Sequence, residues 1–207
     1  MKFEIILNTG MNENTYLLYD ENTKNAVIID PGAQMTKIES KTNELGVNIK
    51  YILLTHCHYD HITSVKEIKD KTGAKIVMGE NGPKNVADPD INLSVMGLGY
   101  EISGIDVYKT LSDGENLTID SMEIKCIYTP GHTDCGVCYL CENKLFSGDT
   151  LFLRSCGRWD FPGGDYKNLK NSVKEKLFAL PEDTEVYPGH GGATTIGYEK
   201  KFNMIIN

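Results

Sequence analysis

The sequence predicts an α/β fold of four layers, in which two β-sheets lie face to face and helices cover both outer faces. Short strand-like segments occur in two series, one in each half of the 207-residue chain, and helical segments are added to each series. No repeat, linker or low-complexity tract separates the two halves. We therefore expect residues 1–207 to form one domain with the layer order αββα.

The first series of strands begins at the N-terminus. The segments KFEIIL, TYLLYD and NAVIID are apolar and are separated by turns rich in Asn, Gly and Asp. Helices are predicted over residues 35–45 and 62–72, because apolar residues recur there at helical spacing and Gly46 and Gly73 stand where each helix should stop. Between these helices IKYILLT is predicted to be a buried strand, and AKIVM is predicted to be the next strand.

The second series of strands follows an irregular excursion. Residues 80–103 are rich in Gly, Asn and Asp, and we expect one short helix there. The segments ENLTID, MEIKCIYTP, CGVCYLCE and NKLFSGD are then predicted as strands. A helix is expected over YKNLKNSVKEKLFAL, a last strand at EVYPG and a closing helix over residues 195–203.

Composition and charge exclude several classes of function. Apolar residues make up 40% and charged residues 24% of the chain, which is typical of a globular protein. The net charge of -8, with Lys and Arg scattered, argues against a nucleic-acid partner. No window approaches 18 consecutive apolar residues, and the N-terminus carries no cleavage-like segment. We expect a cytoplasmic protein with no membrane partner, whereas its oligomeric state is left open.

The six cysteines are predicted to be buried thiols rather than disulfides. Cys135, Cys138 and Cys141 have a spacing that also occurs in part of an iron–sulfur motif. However, they fall on a predicted strand, where alternation would send Cys138 to the face opposite Cys135 and Cys141. Cys135, Cys138 and Cys141 are therefore expected to be buried structural thiols rather than ligands of an iron–sulfur cluster.

Three of the five histidines lie in the segment THCHYDH, directly after the predicted buried strand. In an extended segment His56 and His58 point to the same side, and the turn into the following helix can swing Asp60 and His61 toward a neighbouring point. Such crowding of imidazoles and a carboxylate is unfavourable unless a cation organises it. The segment thus predicts a metal site, with room for two adjacent ions.

The other two histidines and one aspartate support the same site. His132 in TPGHTD and His190 in YPGHGG each follow a predicted strand and adjoin glycine. Asp149 in LFSGDT also ends an apolar strand, and its two carboxylate oxygens could bridge a pair of metals. Seven candidate ligands are thereby available.

The ordered motifs T-H-x-H-x-D-H, G-H-T, S-G-D and G-H-G resemble those of the metallo-β-lactamase superfamily. The segments LFLRSCGRWDFPGGD and YPGHGGATTIGYEKKFN resemble its short bacterial glyoxalase II-like, or hydroxyacylglutathione hydrolase-like, members. The resemblance runs from about Asn14 to the C-terminus. It implies the αββα fold of that superfamily.

The resemblance also implies the division of the ligands between two metals. The first metal would be held by His56, His58 and His132, the second by Asp60, His61 and His190, and Asp149 would bridge them. The ions would be two Zn²⁺ per chain, with iron or manganese as alternatives because all ligand atoms are N or O. Cys57 is not a ligand in this pattern.

The implied activity is hydrolysis of a small-molecule thioester, such as an S-2-hydroxyacylglutathione. A metal pair activates water near neutral pH, Asp60 would help to orient the attacking hydroxide, and a thiolate is a tolerable leaving group. Full-length glyoxalase II enzymes add a C-terminal helical domain that carries much of the glutathione-binding surface, and we expect none here. Arg158, in the C-G-R segment, could bind a substrate carboxylate or be an exposed structural arginine.

Three other functions are weighed against this one. Persulfide dioxygenases of the same superfamily share similar motifs but use one iron, here implied at His58, His132 and Asp149. A β-lactamase is less expected, because lactam-cleaving members usually differ at the Asp-His pair and carry a cysteine at the position of Asp149. A non-enzymatic metal-binding module would be favoured if any of the seven ligands were missing, and all are present.

Overall fold

The computed structural model describes residues 1–206 of the chain. Its strands are β1 (Lys2–Asn8), β2 (Glu13–Tyr19), β3 (Asn25–Ile29), β4 (Asn48–Leu54), β5 (Lys75–Gly79), β6 (Lys109–Leu111), β7 (Asn116–Ile119), β8 (Met122–Tyr128), β9 (Val137–Cys141), β10 (Lys144–Gly148), β11 (Leu151–Phe152), β12 (Ser155–Cys156), β13 (Glu185–Pro188) and β14 (Thr194–Thr195). Its helices are α1 (Met35–Leu45), α2 (Val65–Thr72), α3 (Gly82–Val86), α4 (Ser94–Leu98), α5 (Tyr166–Asn171) and α6 (Ile196–Phe202). A 3-10 turn covers Tyr59–His61, and a π-helical segment, Ser172–Leu177, continues α5.

The strands form two six-stranded sheets and one small hairpin. The first sheet has the order β1-β2-β3-β4-β5-β6, and the second has the order β14-β13-β10-β9-β8-β7. In the first sheet β3, β4, β5 and β6 are parallel, whereas β1, β2 and β3 form an antiparallel meander. In the second sheet only the β10–β13 pair is parallel. Strands β11 and β12 pair with each other as a separate hairpin.

The two sheets pack face to face across a shared apolar core. Leu18 and Leu53 of the first sheet belong to the same buried cluster as Tyr139 and Phe146 of the second. Because side chains alternate along a strand, Leu17 and Leu54 point to the opposite face of the first sheet. Each sheet therefore has a second apolar face that helices must cover.

The helices cover these outer faces. Ile38 of α1 and Ile68 of α2 pack on the outer face of the first sheet, and Leu169 of α5 and Ile196 of α6 pack on that of the second. The layer order is αββα, and the predicted fold class is confirmed. No helix in residues 1–206 combines the length and the apolar character that crossing a bilayer requires.

Most predicted elements are present within two residues of the expected bounds. Helix α1 has the predicted bounds, and Gly46 and Gly73 end α1 and α2 with positive φ angles of 63° and 70°. The predicted start of the second helix at residue 62 is wrong, because the 3-10 turn and the residues after it precede α2 at Val65. The excursion holds two short helices rather than one, α3 and α4.

The cysteines are all buried and free. Cys135 packs with Cys57 beneath the helices of the first sheet, Cys141 lies between the sheets and Cys138 lies on the outer face of the second sheet. Alternation correctly separates Cys138 from Cys141. The expectation that Cys135 shares the face of Cys141 is wrong, because Cys135 lies in the loop before β9. Burial raises the pKa of Cys138 to about 11, which makes it a weak nucleophile.

Candidate metal centre

The candidate site lies at one edge of the sandwich, where loops from both sheets meet. Strands β3 and β4 run parallel and therefore end at the same edge of the first sheet. In the second sheet β8, β10 and β13 point in one direction, because β8 and β10 are both antiparallel to β9 and β13 is parallel to β10. The side chains that follow β4, β8, β10 and β13 come together at this edge.

Two triads of side chains bring their ligand atoms within 4.8 Å of one another. The first triad is His56, His58 and His132, and the second triad is Asp60, His61 and His190. Each triad combines residues of the loop after β4 with one histidine from the second sheet. The structure thus groups six of the seven predicted residues into two sets, in the division that the resemblance implies.

The first triad is almost completely buried. Nδ1 of His58 lies 2.9 Å from Nε2 of His132. The ring centroid of His56 lies 4.8 Å from that of His58 and 4.9 Å from that of His132. The three imidazoles thus surround one point beneath the surface.

The second triad is formed by the 3-10 turn and the loop after β13. Nε2 of His190 lies 3.1 Å from Oδ2 of Asp60, and Nε2 of His61 lies 3.7 Å from the same oxygen. The 3-10 turn breaks the alternation of the extended segment before it, so that Asp60 and His61 face a different point from His56 and His58.

Asp149 lies between the two triads. Its Oδ1 is 3.4 Å from Nε2 of His61, and its Oδ2 is 3.6 Å from Nε2 of His132 and 3.7 Å from Nε2 of His190. The backbone packs closely here, since a Cβ on Gly189 would lie 2.3 Å from Oδ1 of Asp149. Only glycine allows this approach.

Asp30 fixes the orientation of two imidazoles, one from each triad. Its Oδ2 accepts a hydrogen bond from Nδ1 of His61 at 3.1 Å and another from the Thr55 hydroxyl at 2.5 Å. Because the Thr55 hydroxyl donates its proton to Asp30, it accepts from Nδ1 of His56 at 3.0 Å. Both imidazoles therefore carry a proton on Nδ1 and direct Nε2, the atom that would bind a metal, into the site.

Backbone carbonyls orient two more imidazoles in the same way. Nδ1 of His132 donates to the carbonyl of Arg158 at 2.6 Å, and Nδ1 of His190 donates to the carbonyl of Asn12 at 3.0 Å. A carbonyl can only accept, so Nε2 of each ring keeps its lone pair. Four of the five histidines thus present the same type of ligand atom.

Burial keeps His56 and His58 in the form that binds metal. It lowers the pKa of His56 well below its ordinary value and that of His58 to about 3, because a charged imidazole loses its hydration there. Burial alone would raise the pKa of Asp149, but the positive charge of protonated His61 holds it well below its ordinary value. Burial opposes the charge on His61, but the carboxylates of Asp60 and Asp149 raise the pKa of His61, and a metal ion bound there would displace its proton. Neutral imidazoles and an ionised carboxylate are the forms that coordinate a cation.

The donor atoms fit a metal centre. Four buried atoms have no hydrogen-bond partner: Nε2 of His56, His58 and His61, and Oδ1 of Asp149. Leaving buried polar atoms unpaired is costly, and cations bound at the two triads would satisfy Nε2 of His56, Nε2 of His61 and Oδ1 of Asp149. His58 instead presents Nδ1 to the first triad, 2.9 Å from Nε2 of His132. Imidazole nitrogens and carboxylate oxygens are ligands that zinc, iron and manganese share.

A cavity of about 280 Å³ opens onto both triads. Its polar floor is formed by His58, Asp60, His132, Asp149 and His190. Its walls are formed by Tyr59, Leu93, Met96, Phe152, Phe161, Gly157 and Arg158. Within residues 1–206 no serine, threonine, cysteine or lysine lines this cavity. A substrate bound there would thus meet no serine, threonine, cysteine or lysine nucleophile among the described lining residues.

Arg158 lies at the rim of the cavity. Its guanidinium forms a bidentate ion pair with Asp160, with N···O distances of 2.7 and 2.6 Å, and its Cζ lies 3.9 Å from the ring centroid of Phe161. The side chain is 58% exposed. The guanidinium is therefore already paired, and the clearest contribution of this residue to the centre is its carbonyl bond to His132.

Asp30 and Thr55 are the site residues that the sequence analysis missed. Asp30 forms a third group of possible ligands with His56 and His61. It follows the apolar strand β3 just as Asp149 follows β10, so the same strand-end signal could have identified it. Thr55 offered no comparable signal, because its role depends on the position of Asp30.

Comparison with known proteins relates this geometry to a family. The sequence profile of the metallo-β-lactamase superfamily matches residues 8–190. Hydroxyacylglutathione hydrolase GloC of Haemophilus influenzae is 34% identical, over 100% of this chain and 99% of its own length. The crystal structure of BLEG-1 B3 metallo-β-lactamase is similar over the whole of both chains, with a TM-score of 0.93 and 34% identity. That of TTHA1623 in a di-iron-bound form covers 97% of this chain and 98% of its own, with a TM-score of 0.84 and 31% identity.

Proposed function

The chain belongs to the metallo-β-lactamase superfamily, and from that premise we propose that it is a binuclear metal-dependent hydrolase of thioesters, similar in activity to hydroxyacylglutathione hydrolase. The observation that carries this proposal is the pair of triads with Asp149 between them. The relative named as a hydroxyacylglutathione hydrolase supports the substrate class, and the relative with a di-iron form supports a site for two ions. Zinc is the proposed metal, with iron or manganese as alternatives.

The proposed ligands are those that the geometry groups. His56, His58 and His132 would hold one ion, Asp60, His61 and His190 the other, and Asp149 would bridge them. When bound, the ions would supply Lewis-acid polarisation of the thioester carbonyl and activation of water. Water is the proposed nucleophile, because no serine, threonine, cysteine or lysine is present in the described part of the cavity lining and its carboxylates and imidazoles are proposed metal ligands.

The side chains around the cavity have distinct proposed roles. Asp60 lines the cavity, where its carboxylate can accept a hydrogen bond from the attacking water and orient it. The leaving thiolate needs little help from a general acid, since thiols ionise near pH 8.5. Arg158 remains the proposed contact for the thiol carrier, at the rim, but its pairing with Asp160 makes this a weak contact.

A panel of substrates tests the proposal. We expect S-lactoylglutathione and related thioesters of small 2-hydroxy acids to be hydrolysed, and a phosphodiester to remain intact. We also expect KM to be high while kcat stays substantial, because a paired Arg158 offers little binding energy to glutathione. The panel must include a lactam, because one similar structure is described as a B3 metallo-β-lactamase.

Metal analysis of the same preparation completes the test. About two ions per chain are expected after metal-replete expression. If every thioester is inert with both ions bound, the proposed activity is wrong, and lactam cleavage alone would assign the protein to the β-lactamases. One iron per chain, with oxygen consumed on addition of glutathione persulfide, would instead support the dioxygenase.

A further inference from the structure

The cavity beside the metal ligands is lined in part by a strained leucine. Leu93 precedes α4 and has φ and ψ angles of 62° and 16°, in the left-handed region that leucine rarely occupies. It is 6% exposed, yet it belongs to none of the three apolar cores of the fold. Its side chain lines the cavity instead. Strain of this kind persists only where the surrounding structure enforces it, and it concentrates at functional sites.

Hydrogen bonds from Asn92 enforce this conformation. The buried side chain of Asn92 donates to the carbonyls of Val86 and Ile102, at 3.0 and 2.9 Å, and accepts from the backbone N–H of Ser94 at 2.9 Å. The carbonyl of Asn92 accepts the N–H of Tyr59, on the metal-ligand loop, at 2.8 Å. The excursion that carries Leu93 is thereby held at a fixed position beside the metal centre.

Other residues in the lining of the cavity are also apolar. Met96 on α4 lines the cavity and is 64% exposed. The ring of Tyr59 packs directly on α4, where a Cβ on Gly97 would lie 2.2 Å from it. Phe161 and Phe152 also line the cavity, Phe161 beside His58 and Phe152 beside His190, with ring centroids 5.6 and 6.2 Å apart.

The volume of the cavity limits which part of a thioester can occupy it. A space of 280 Å³ corresponds to roughly nine water molecules, which suits a small acyl group rather than a peptide-sized thiol carrier. Among the described lining residues Arg158, at the rim, is the one lysine or arginine, and it is paired with Asp160. An acidic acyl group would therefore meet no unpaired lysine or arginine in the described part of the lining.

From this arrangement we infer that the cavity selects thioesters whose acyl group carries an apolar aliphatic side chain, and that Leu93 is the residue that determines this specificity. The inference rests on the proposed thioester hydrolase activity and adds the substrate class. The aliphatic chain packs against Leu93 and Met96, while the carbonyl faces the triads. A fixed apolar wall favours each additional methylene because it removes that group from water.

The test compares glutathione thioesters that differ only in acyl length. For the wild type, kcat/KM should be about tenfold or more higher for the 2-hydroxyhexanoyl than for the 2-hydroxypropanoyl thioester. Leu93→Asn introduces a residue of similar size that tolerates the left-handed conformation, and it replaces the apolar surface with an amide. In that variant the preference should fall below about threefold, because kcat/KM falls much more for the longer thioester than for the shorter one.

Two further variants serve as controls. Leu93→Gly also removes the wall, and because glycine adopts the required φ without strain, part of the packing lost at this buried side chain is offset and the variant should stay folded at the assay temperature. Leu7→Asn makes the matched substitution at a leucine that is 45% exposed on β1, away from the cavity, and should leave the preference unchanged. If a Leu93 variant stays folded but loses the preference for the longer acyl chain, the preference depends on the apolar side chain of Leu93.

A binding measurement separates this inference from the proposed activity. Calorimetric titration of the metal-loaded protein with free 2-hydroxyhexanoate and 2-hydroxypropanoate should show the same preference in the wild type and its loss in Leu93→Asn. If the preference appears in binding but no thioester is hydrolysed, the proposed activity fails and the apolar selection stands. If thioesters are hydrolysed with no preference for the longer chain, or with a preference that Leu93→Asn leaves intact, the apolar selection is wrong and the activity stands.

Discussion

Replacing Asp30 with asparagine should weaken both proposed metal sites although Asp30 belongs to neither triad. Its carboxylate accepts three hydrogen bonds, from the N–H and the hydroxyl of Thr55 and from Nδ1 of His61. Asparagine keeps one acceptor oxygen. If that oxygen serves the Thr55 N–H, the amide NH₂ faces His61, whose ring must then carry its proton on Nε2, the atom directed at the metal.

The expected loss of metal affinity in Asp30→Asn follows from the hydrogen bonds that connect Asp30 to His61 and, through Thr55, to His56. Loss of a group that orients a metal-binding histidine typically lowers affinity about 10- to 100-fold, which is about 1.4 to 2.7 kcal/mol. Asp30 orients His61 directly and His56 through Thr55, so we expect a loss of this order at each triad. Thr55→Val breaks only the connection to His56 and should weaken the first triad alone.

Zinc affinities from competition with a chromophoric chelator measure both effects. The matched control is Asp20→Asn, because Asp20 also accepts three hydrogen bonds, from Asn22, Thr23 and Ser121, but lies at the far end of β2. Asp20→Asn should bind two ions as tightly as the wild type. If Asp30→Asn binds zinc as tightly as this control, Asp30 does not orient the ligands and the reasoning is refuted.

Two other variants test single residues. Asp149→Ala should lower metal content and turnover by about 100-fold or more, because Asp149 contacts both triads, and near-normal values of both would contradict the bridging assignment. Burial raises the pKa of Glu13 well above 4.5, so the folded chain keeps a proton that the unfolded chain releases. The stability this provides is complete below pH 4.5 and is lost as the pH rises through the folded pKa. Glu13→Gln has no such proton and should lose less stability between pH 5 and pH 8 in urea unfolding, whereas an equal loss in both chains would show that Glu13 is not responsible.

The fold could be predicted because most of its elements are long enough to carry a pattern. Strands β2, β3 and β4 each bury residues on both faces, and their apolar runs identify them without knowledge of their partners. Strands β6, β11, β12 and β14 have only two or three residues, so pairing in the folded chain rather than sequence pattern defines them. The helix start at residue 62 was misplaced because the helical spacing of apolar residues begins at Ile62, whereas the chain leaves the 3-10 turn at His61 and enters α2 only at Val65.

The candidate site was predictable to the extent that its residues follow strands. The histidines and Asp149 stand out because ligand types are dense at strand ends, and the structure brings all seven together. The pairing of Arg158 with Asp160 and the left-handed backbone of Leu93 depend on contacts that no local pattern encodes. Whether the seven residues bind two ions, as the resemblance implies, stays a prediction.

The division of each triad between the two sheets has a mechanical consequence. The loop after β4 supplies two members of each triad, and the second sheet supplies the third member of each, together with Asp149. An ion held by either triad therefore acts as a cross-link between the sheets at one end of the sandwich. The free energy of metal binding would therefore stabilise the packing of the two sheets, in addition to the apolar contacts between their inner faces. The edge that carries the proposed chemistry would thus also be the edge at which a bound metal joins the two sheets.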